Sequence, residues 1–345
     1  MNITLPKIGS IKDSELLVEL QKKINNKTKP VGSLGRLEDL AIRIGQIQQT
    51  SEPKLIKPQL VVYAGDHGIV ARGVSAFPSD VTWEMVENFL ADGAAVSVLA
   101  RQHQINMTVI DCGVNHDFEP RDRLLIKKVG KGTADSSAGS AMSCSQVIQC
   151  IAIGMQIVAE LPGNVLILGE MGIGNTSAAS LLFSKLENID ITLCAGAGTG
   201  LDTEAIKRKV QVLSEALDRH HHVNDPFEVL AALGGFEIAT MVGSIFKAAA
   251  EKRVILVDGF IVSSAVLVAS KIDSAVLDYC IFTHQSGEKG HVLMLDRLKA
   301  KPLIDLGLRL GEGSGAMLAW PLIQSACLIL NEMASFESAG VSRKS

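Results

Sequence analysis

Val165-Leu166-Ile167-Leu168-Gly169-Glu170-Met171-Gly172-Ile173-Gly174-Asn175-Thr176-Ser177 is the stretch whose reading decides the fold class. Four apolar residues read as a buried strand, a glycine-rich turn follows, and residues 178–186 have helical composition. Glycines at a strand-to-helix turn let backbone amides crowd around an anion at the positive end of the helix dipole. The spacing matches the nucleotide loop G-x-x-x-x-G-K-[ST] except that Asn175 stands where that loop carries lysine. That lysine reaches the terminal phosphates of a nucleoside triphosphate, so the turn predicts a cradle for a single phosphate.

Working outward, β-rich runs recur at 60–64, 107–111, 165–168, 191–195, 254–257 and 276–282. Runs apolar on both faces suit a parallel sheet covered by helices. The segments between them, such as 81–103, 145–160, 204–220 and 228–250, have helical length and periodicity. The expectation is an α/β fold with a doubly wound, mostly parallel six-stranded sheet. Each run ends in a Gly-rich polar motif, among them Ala64-Gly65-Asp66-His67-Gly68, Gly196-Ala197-Gly198-Thr199-Gly200, Asp258-Gly259-Phe260 and Thr283-His284-Gln285-Ser286-Gly287-Glu288. In such a sheet these ends converge on one crevice. Residues 1–52 differ: a Lys-rich amphipathic helix over 12–25, a turn at Pro30 to Ser33, and a second helix over 37–49. The expected organisation is a Rossmann-like catalytic domain at 53–299 and a smaller helical domain made from 1–52 and 300–345, with 336–345 frayed.

Composition narrows the function. With 33 basic against 37 acidic residues and a net charge of -4, the chain lacks the electrostatic footprint of a nucleic-acid or membrane-surface binder. Six scattered cysteines without a C-x-x-C pair suit reduced thiols and a cytoplasmic setting. The N-terminal residues do not read as a signal peptide, and the apolar runs 254–272 and 316–330 read as core. Small-molecule partners are expected.

Two carboxylates stand out among glycines. Glu312, in Leu310-Gly311-Glu312-Gly313, is the first choice for a general base, against the alternative that it merely suits the start of a helix. Glu170 is the second, against a role tying down loop amides. Asp66-His67 reads as an orienting pair, and His220-His221-His222 as a solvated helix C-cap; neither has metal-ligand spacing. His284 and His291 flank Ser286, but no nucleophile elbow accompanies them, so a hydrolase triad is not expected. One of Lys207, Arg208 and Lys209 could reach the phosphate.

With these motifs in chain order, the sequence closely resembles the nicotinate-nucleotide:5,6-dimethylbenzimidazole phosphoribosyltransferases, which make α-ribazole phosphate for cobalamin. The resemblance is carried by Lys29-Pro30 with Gly32-Ser33-Leu34-Gly35, the Asp66-His67 loop, the 169–176 turn, Gly198-Thr199-Gly200, 231–237, Asp258-Gly259-Phe260, 284–291 and 310–313. It implies Glu312 as the base and Glu170 as a supporting catalytic residue. It further implies phosphate and nucleotide contacts at Gly172, Ile173, Gly174, Asn175, Thr176, Gly198, Gly200, Lys209 and Ser286. The azole pocket falls on Ser75, Phe77, Trp83, Glu84 and Leu310. The chain departs from the family at Ala197, where arginine is common, and at Glu84, where glutamine is common. The implied partners are nicotinate mononucleotide and a benzimidazole base, in a homodimer, with no cofactor and no metal. Two other classes remain open. A nicotinamide-dependent dehydrogenase lacks its clean G-x-G-x-x-G with an acid about twenty residues on, and a non-catalytic nucleotide-binding module has no need to keep both Glu170 and Glu312.

Overall fold

The computed structural model describes residues 3–196, 200 and 202–342. Strands β1 (Gln59–Gly65), β2 (Asn106–Gly113), β3 (Leu124–Ile126), β4 (Val165–Met171), β5 (Val254–Val257) and β6 (Cys280–Phe282) form a sheet in the order β3-β2-β1-β4-β5-β6. Every pairing is parallel. The order reverses between β1 and β4, the switch point at whose carboxyl end a doubly wound sheet binds its ligand. The 169–176 turn leaves β4 at that point. A small parallel pair, β7 (His284–Gln285) and β8 (Ile304–Asp305), lies beyond β6.

Among the described residues the main sheet has six strands, five of them at expected runs and one elsewhere. Residues 191–195 are not a strand: Asp190 accepts the Thr192 amide at 2.8 Å and starts the one-turn helix Ile191–Cys194. A good N-cap outweighs the β-propensity of so short a run. The sixth strand is instead β3, three residues at the sheet edge pairing with Val109 to Asp111, too short to show a period. Residues 274–279 are a 3-10 helix that precedes β6. The span 81–103 divides into Asp80–Leu90 and Ala95–Gln102, with Asp92 at φ +62° between them. The span 228–250 divides into Pro226–Leu233 and Phe236–Ala250 at the Gly234-Gly235 pair.

The helices Cys144–Glu160 and Phe236–Ala250 touch backbone to backbone. A Cβ on Gly154 would lie 2.0 Å from Thr240 O, and one on Gly243 2.0 Å from Ile151 O, so only glycine permits this approach. Away from the sheet, Ser14–Asn25 packs on Arg36–Gln48, which in turn packs on Ser314–Glu332. Asp13 caps the first of these, and a buried Lys29–Glu38 ion pair of 2.7 Å, with Leu34 N donating to Glu38 at 2.9 Å, fixes the turn before the second. The tail is more ordered than expected up to residue 342. Lys27 bridges Ser335, Phe336 N donates to Asn26 O at 3.1 Å, and Phe336–Ala339 is a capped helical turn. Among the described residues, Ser314–Glu332 is the one helix long and apolar enough to cross a membrane, and more than half of it is packed inside the protein.

Candidate active site

The glycine-rich turn closes around the switch point as the sequence suggests. Gly174 has φ +94° and is the N-cap of the helix Asn175–Glu187, while a Cβ on Gly172 would lie 2.3 Å from Gly65 O of β1. Glycine is required at both positions. The turn is partly satisfied from within: Ile173 N donates to Thr82 Oγ1 at 3.0 Å and Asn175 N to Gly172 O at 3.1 Å. The helix N-terminus behind them presents a positive end to an anion.

Gly172, Ile173, Asn175 and Thr176 line a cleft with Gly259, Phe260, His284, Ser286, Arg309, Leu310 and Gly311. Lys209 reaches it through Thr176, donating to Oγ1 at 3.0 Å. On the helix Thr203–Arg219 it belongs to the buried stripe Ala205, Lys209, Val212, Leu213 and Ala216, while Lys207 pairs with Glu204 at the surface. Burial pushes the Lys209 ammonium down to about 8, opposed by the Glu288 carboxylate. Ser286 is held by His291: Ser286 N donates to Nδ1 at 2.8 Å, so the ring proton sits on Nε2 and is given to Ser263 Oγ at 3.0 Å. Burial pushes the His291 pKa down to about 3, so this ring stays neutral and buttresses Ser286.

The segments that carry the two glutamates meet at the sheet end. A Cβ on Gly311 would lie 2.2 Å from Glu170 Oε1, and one on Gly169 2.2 Å from Glu312 O, so the strand and the C-terminal turn are in direct contact. Glu312 has φ +67°, a conformation that non-glycine residues rarely adopt and that concentrates at functional sites. Asp258 holds it there: Oδ2 accepts Gly313 N at 3.2 Å and Oδ1 accepts Ala316 N at 2.9 Å. The Glu312 side chain is 4% exposed, and its Oε2 has no partner among the described residues. Burial pushes its pKa up to about 7, against the Val96 amide that binds the ionised form, with Asp258 adding to the rise. Glu170 is pushed to about 8 by burial and by the Asp258 and Glu237 carboxylates, although Asn175 donates to its Oε2.

Asp66 and His67 behave as an orienting pair with an added partner. Asp66 Oδ2 accepts Asn115 N at 2.8 Å, and His67 Nε2 meets Glu237 Oε1 at 2.8 Å, both buried. Burial alone would lower the His67 pKa, but Glu237 outweighs it and holds it up. Glu237 belongs to the 231–237 motif, yet its proximity to the site had no signal in the spacing. Arg309 is a second residue with no such signal. It lines the cleft, and among the described residues no acceptor meets its guanidinium.

The remaining expected residues separate. Leu310 lines the cleft and is 52% exposed. Ser75, Phe77, Trp83 and Glu84 do not line it. Phe77 is exposed, Trp83 stacks on His116 with ring centroids 4.7 Å apart, and Glu84 lies on the outer face of its helix, opposite the buried Thr82, Val86 and Phe89. Gly200 (φ +145°) stands outside the cleft wall, and Gly198 lies outside the described residues. His220 is not a solvated cap: it is buried, and Nε2 donates to Ser136 O at 3.0 Å and Gly139 O at 3.1 Å. Among the described residues no group of three or more His, Cys, Asp or Glu could hold a metal ion.

A parallel sheet with a glycine-rich strand-to-helix turn and two buried glutamates near its switch point is the arrangement of an α/β enzyme that binds a small molecule at the strand ends. Residues 10–341 match the phosphoribosyltransferase family, and the chain belongs to it. A nicotinate-nucleotide-dimethylbenzimidazole phosphoribosyltransferase of Variovorax paradoxus is 57% identical over 343 residues, covering 99% of this chain and 98% of its own. The enzyme of that name from Dechloromonas aromatica is 54% identical over 341 residues, with 97% and 98% covered. The solved structure of CobT from Thermus thermophilus superposes with a TM-score of 0.92 at 38% identity, over 96% of this chain and 100% of that one.

Proposed function

We propose that the protein transfers the phosphoribosyl group of nicotinate mononucleotide to 5,6-dimethylbenzimidazole or a related azole, giving α-ribazole 5'-phosphate and nicotinate. The observation that carries this reading is Glu312: a buried carboxylate in a left-handed turn, one oxygen unpartnered, on a turn that touches the phosphate-cradle strand. The azole nitrogen attacks the anomeric carbon of the ribose on the face opposite nicotinate. The bond from that carbon to the pyridinium nitrogen breaks, its electron pair goes to the ring, and nicotinate leaves without needing a proton. The azole's other nitrogen must then lose its hydrogen, and Glu312 takes it. Inversion from a β- to an α-glycoside follows from the direction of attack.

Glu170, raised above neutrality, remains largely protonated at pH 7 and can donate a hydrogen bond to the sugar while accepting from Asn175. Most of the acceleration comes from holding two planar rings across an anchored sugar. The azole is proposed to lie between Leu310 and the helix Asp80–Leu90, on the side of Glu312 that faces Val96. Residues 1–52 and 300–345 are proposed to form the small domain that carries this turn.

The phosphate anchor predicts that Lys209→Ala weakens nicotinate mononucleotide binding about 10- to 100-fold, as for loss of a charged hydrogen bond, while the unphosphorylated riboside binds native and variant protein alike. Titration calorimetry with both ligands checks it; an equal loss for the two would remove Lys209 from the phosphate.

The base predicts a pH limb. Glu312 works only when ionised, so the single-turnover rate falls below its pKa of about 7. Stability moves the opposite way. Both carboxyls bind protons more tightly folded than unfolded, so the folded state loses stability as pH rises through about 4.5 to 7 for Glu312 and to 8 for Glu170. Differential scanning calorimetry of the ligand-free protein from about pH 5 to 8 should show Tm falling, and less steeply in Glu170→Gln.

A cytoplasmic homodimer completes the reading. Six free cysteines support a reducing compartment. Val98 and Leu318, exposed on packed helices, offer apolar surface to a second copy. Light scattering should return about twice the 36.7 kDa of one chain; the monomer mass would reject the dimer.

A further inference from the structure

His67 and Glu237 form a buried pair that the reaction above leaves without a task. His67 Nε2 and Glu237 Oε1 are 2.8 Å apart, and the two side chains are 2% and 0% exposed. Backbone walls them in. A Cβ on Gly65 would lie 2.8 Å from Glu237 Oε2, and one on Gly235 would lie 2.5 Å from that oxygen and collide with His67 Cε1. Among the described residues Oε2 has no hydrogen-bond partner, so the bond to His67 is what orients the carboxylate. A buried polar pair gains little stability over apolar side chains of the same volume, but it holds its two segments to one geometry.

One of those segments supports the glycine turn. His67 is the N-cap of the 3-10 helix Gly68–Arg72, and its carbonyl accepts Val70 N at 3.1 Å. Both residues bear on Gly174: a Cβ there would lie 2.5 Å from Val70 Cγ2 and 3.1 Å from His67 Cβ. The same loop is backed by residue 133, whose carbonyl oxygen would lie 2.5 Å from a Cβ on Gly68, so it has no room to retreat. The other segment is rigid, since Glu237 stands in the first turn of the buried helix Phe236–Ala250. We propose that His67 and Glu237 are positioning residues for the phosphate: their hydrogen bond seats the 67–70 loop against Gly174 and so sets the turn that receives it. Loosening the bond then costs affinity for the phosphate and not for the rest of the nucleotide. This rests on the nicotinate mononucleotide reading.

Titration calorimetry with nicotinate mononucleotide and the unphosphorylated riboside tests it on the native protein, His67→Ala and His67→Gln. His67→Ala should bind the mononucleotide about 3- to 10-fold more weakly, the worth of one hydrogen bond, with riboside affinity unchanged, and its KM should rise more than its kcat falls. His67→Gln, whose amide can donate to Glu237, should recover part of the loss. A merely structural pair would lower Tm and leave the ratio of the two affinities at its native value; that result in folded His67→Ala overturns the proposal. Native protein decides if the variants fail to fold: in NMR of histidine-labelled protein, the His67 ring resonances should move when the mononucleotide binds and stay when the riboside binds. Resonances that respond to neither ligand, or equally to both, overturn it. Absence of nicotinate release with every azole would sink the transferase reading and leave the phosphate preference readable.

Discussion

Glu312→Gln is expected to lower the single-turnover rate about 10²- to 10⁴-fold, the usual worth of a general base, with nicotinate mononucleotide affinity nearly unchanged. On the proposed reading the two effects separate because the carboxylate would act on the azole proton, whereas the nucleotide would be anchored through the 172–176 turn, Lys209 and Ser286. Glutamine keeps the volume and can still accept the Val96 amide, so the left-handed turn should survive. Rapid-quench measurement of nicotinate release, beside calorimetry, reads both quantities. A rate near that of native protein in folded variant would remove Glu312 from the chemistry.

Asp258→Asn is expected to cost about 1–3 kcal/mol of stability, because one of two buried amide donors loses its acceptor. Oδ1 and Oδ2 each take one amide, from Ala316 and Gly313, and an asparagine presents an N–H to one of them. The turn must shift to relieve this. A displacement of about 1 Å in the base can cost on the order of 10²-fold in rate, so kcat should fall although the residue does not touch the azole. A thermal melt and a kcat both matching native protein would show that Asp258 does not set the turn.

Much of the site was legible because its residues are local in sequence. The strand and turn at 165–176 have a fixed length and glycines at set positions, so the strand-turn-helix geometry is legible before any fold is known. Lys209 was one of three basic neighbours; counting the 3.6-residue period from Val212, Leu213 and Ala216 would have put it alone on the buried stripe. Other features depend on contacts between distant segments. Nothing near Asp258 says that its carboxylate holds amides 55 and 58 residues on, and nothing near His67 says that Glu237 lies 2.8 Å away. Residues 191–195 misled because a side-chain cap at Asp190 decides a segment too short for periodicity. Trp83 and Glu84 enter the expected pocket through the family resemblance, and nothing local in the sequence shows that their helix turns Thr82, Val86 and Phe89 inward.

Coupled transfer ties nicotinate release to the presence of the azole. The direct measurement is to incubate purified protein with nicotinate mononucleotide and 5,6-dimethylbenzimidazole and to follow both products by chromatography, with the anomer assigned by NMR. Nicotinate and α-ribazole 5'-phosphate are expected in equal amounts, with no nicotinate in the absence of the azole. Nicotinate released at the same rate with and without the azole, or no release with any azole, would contradict it.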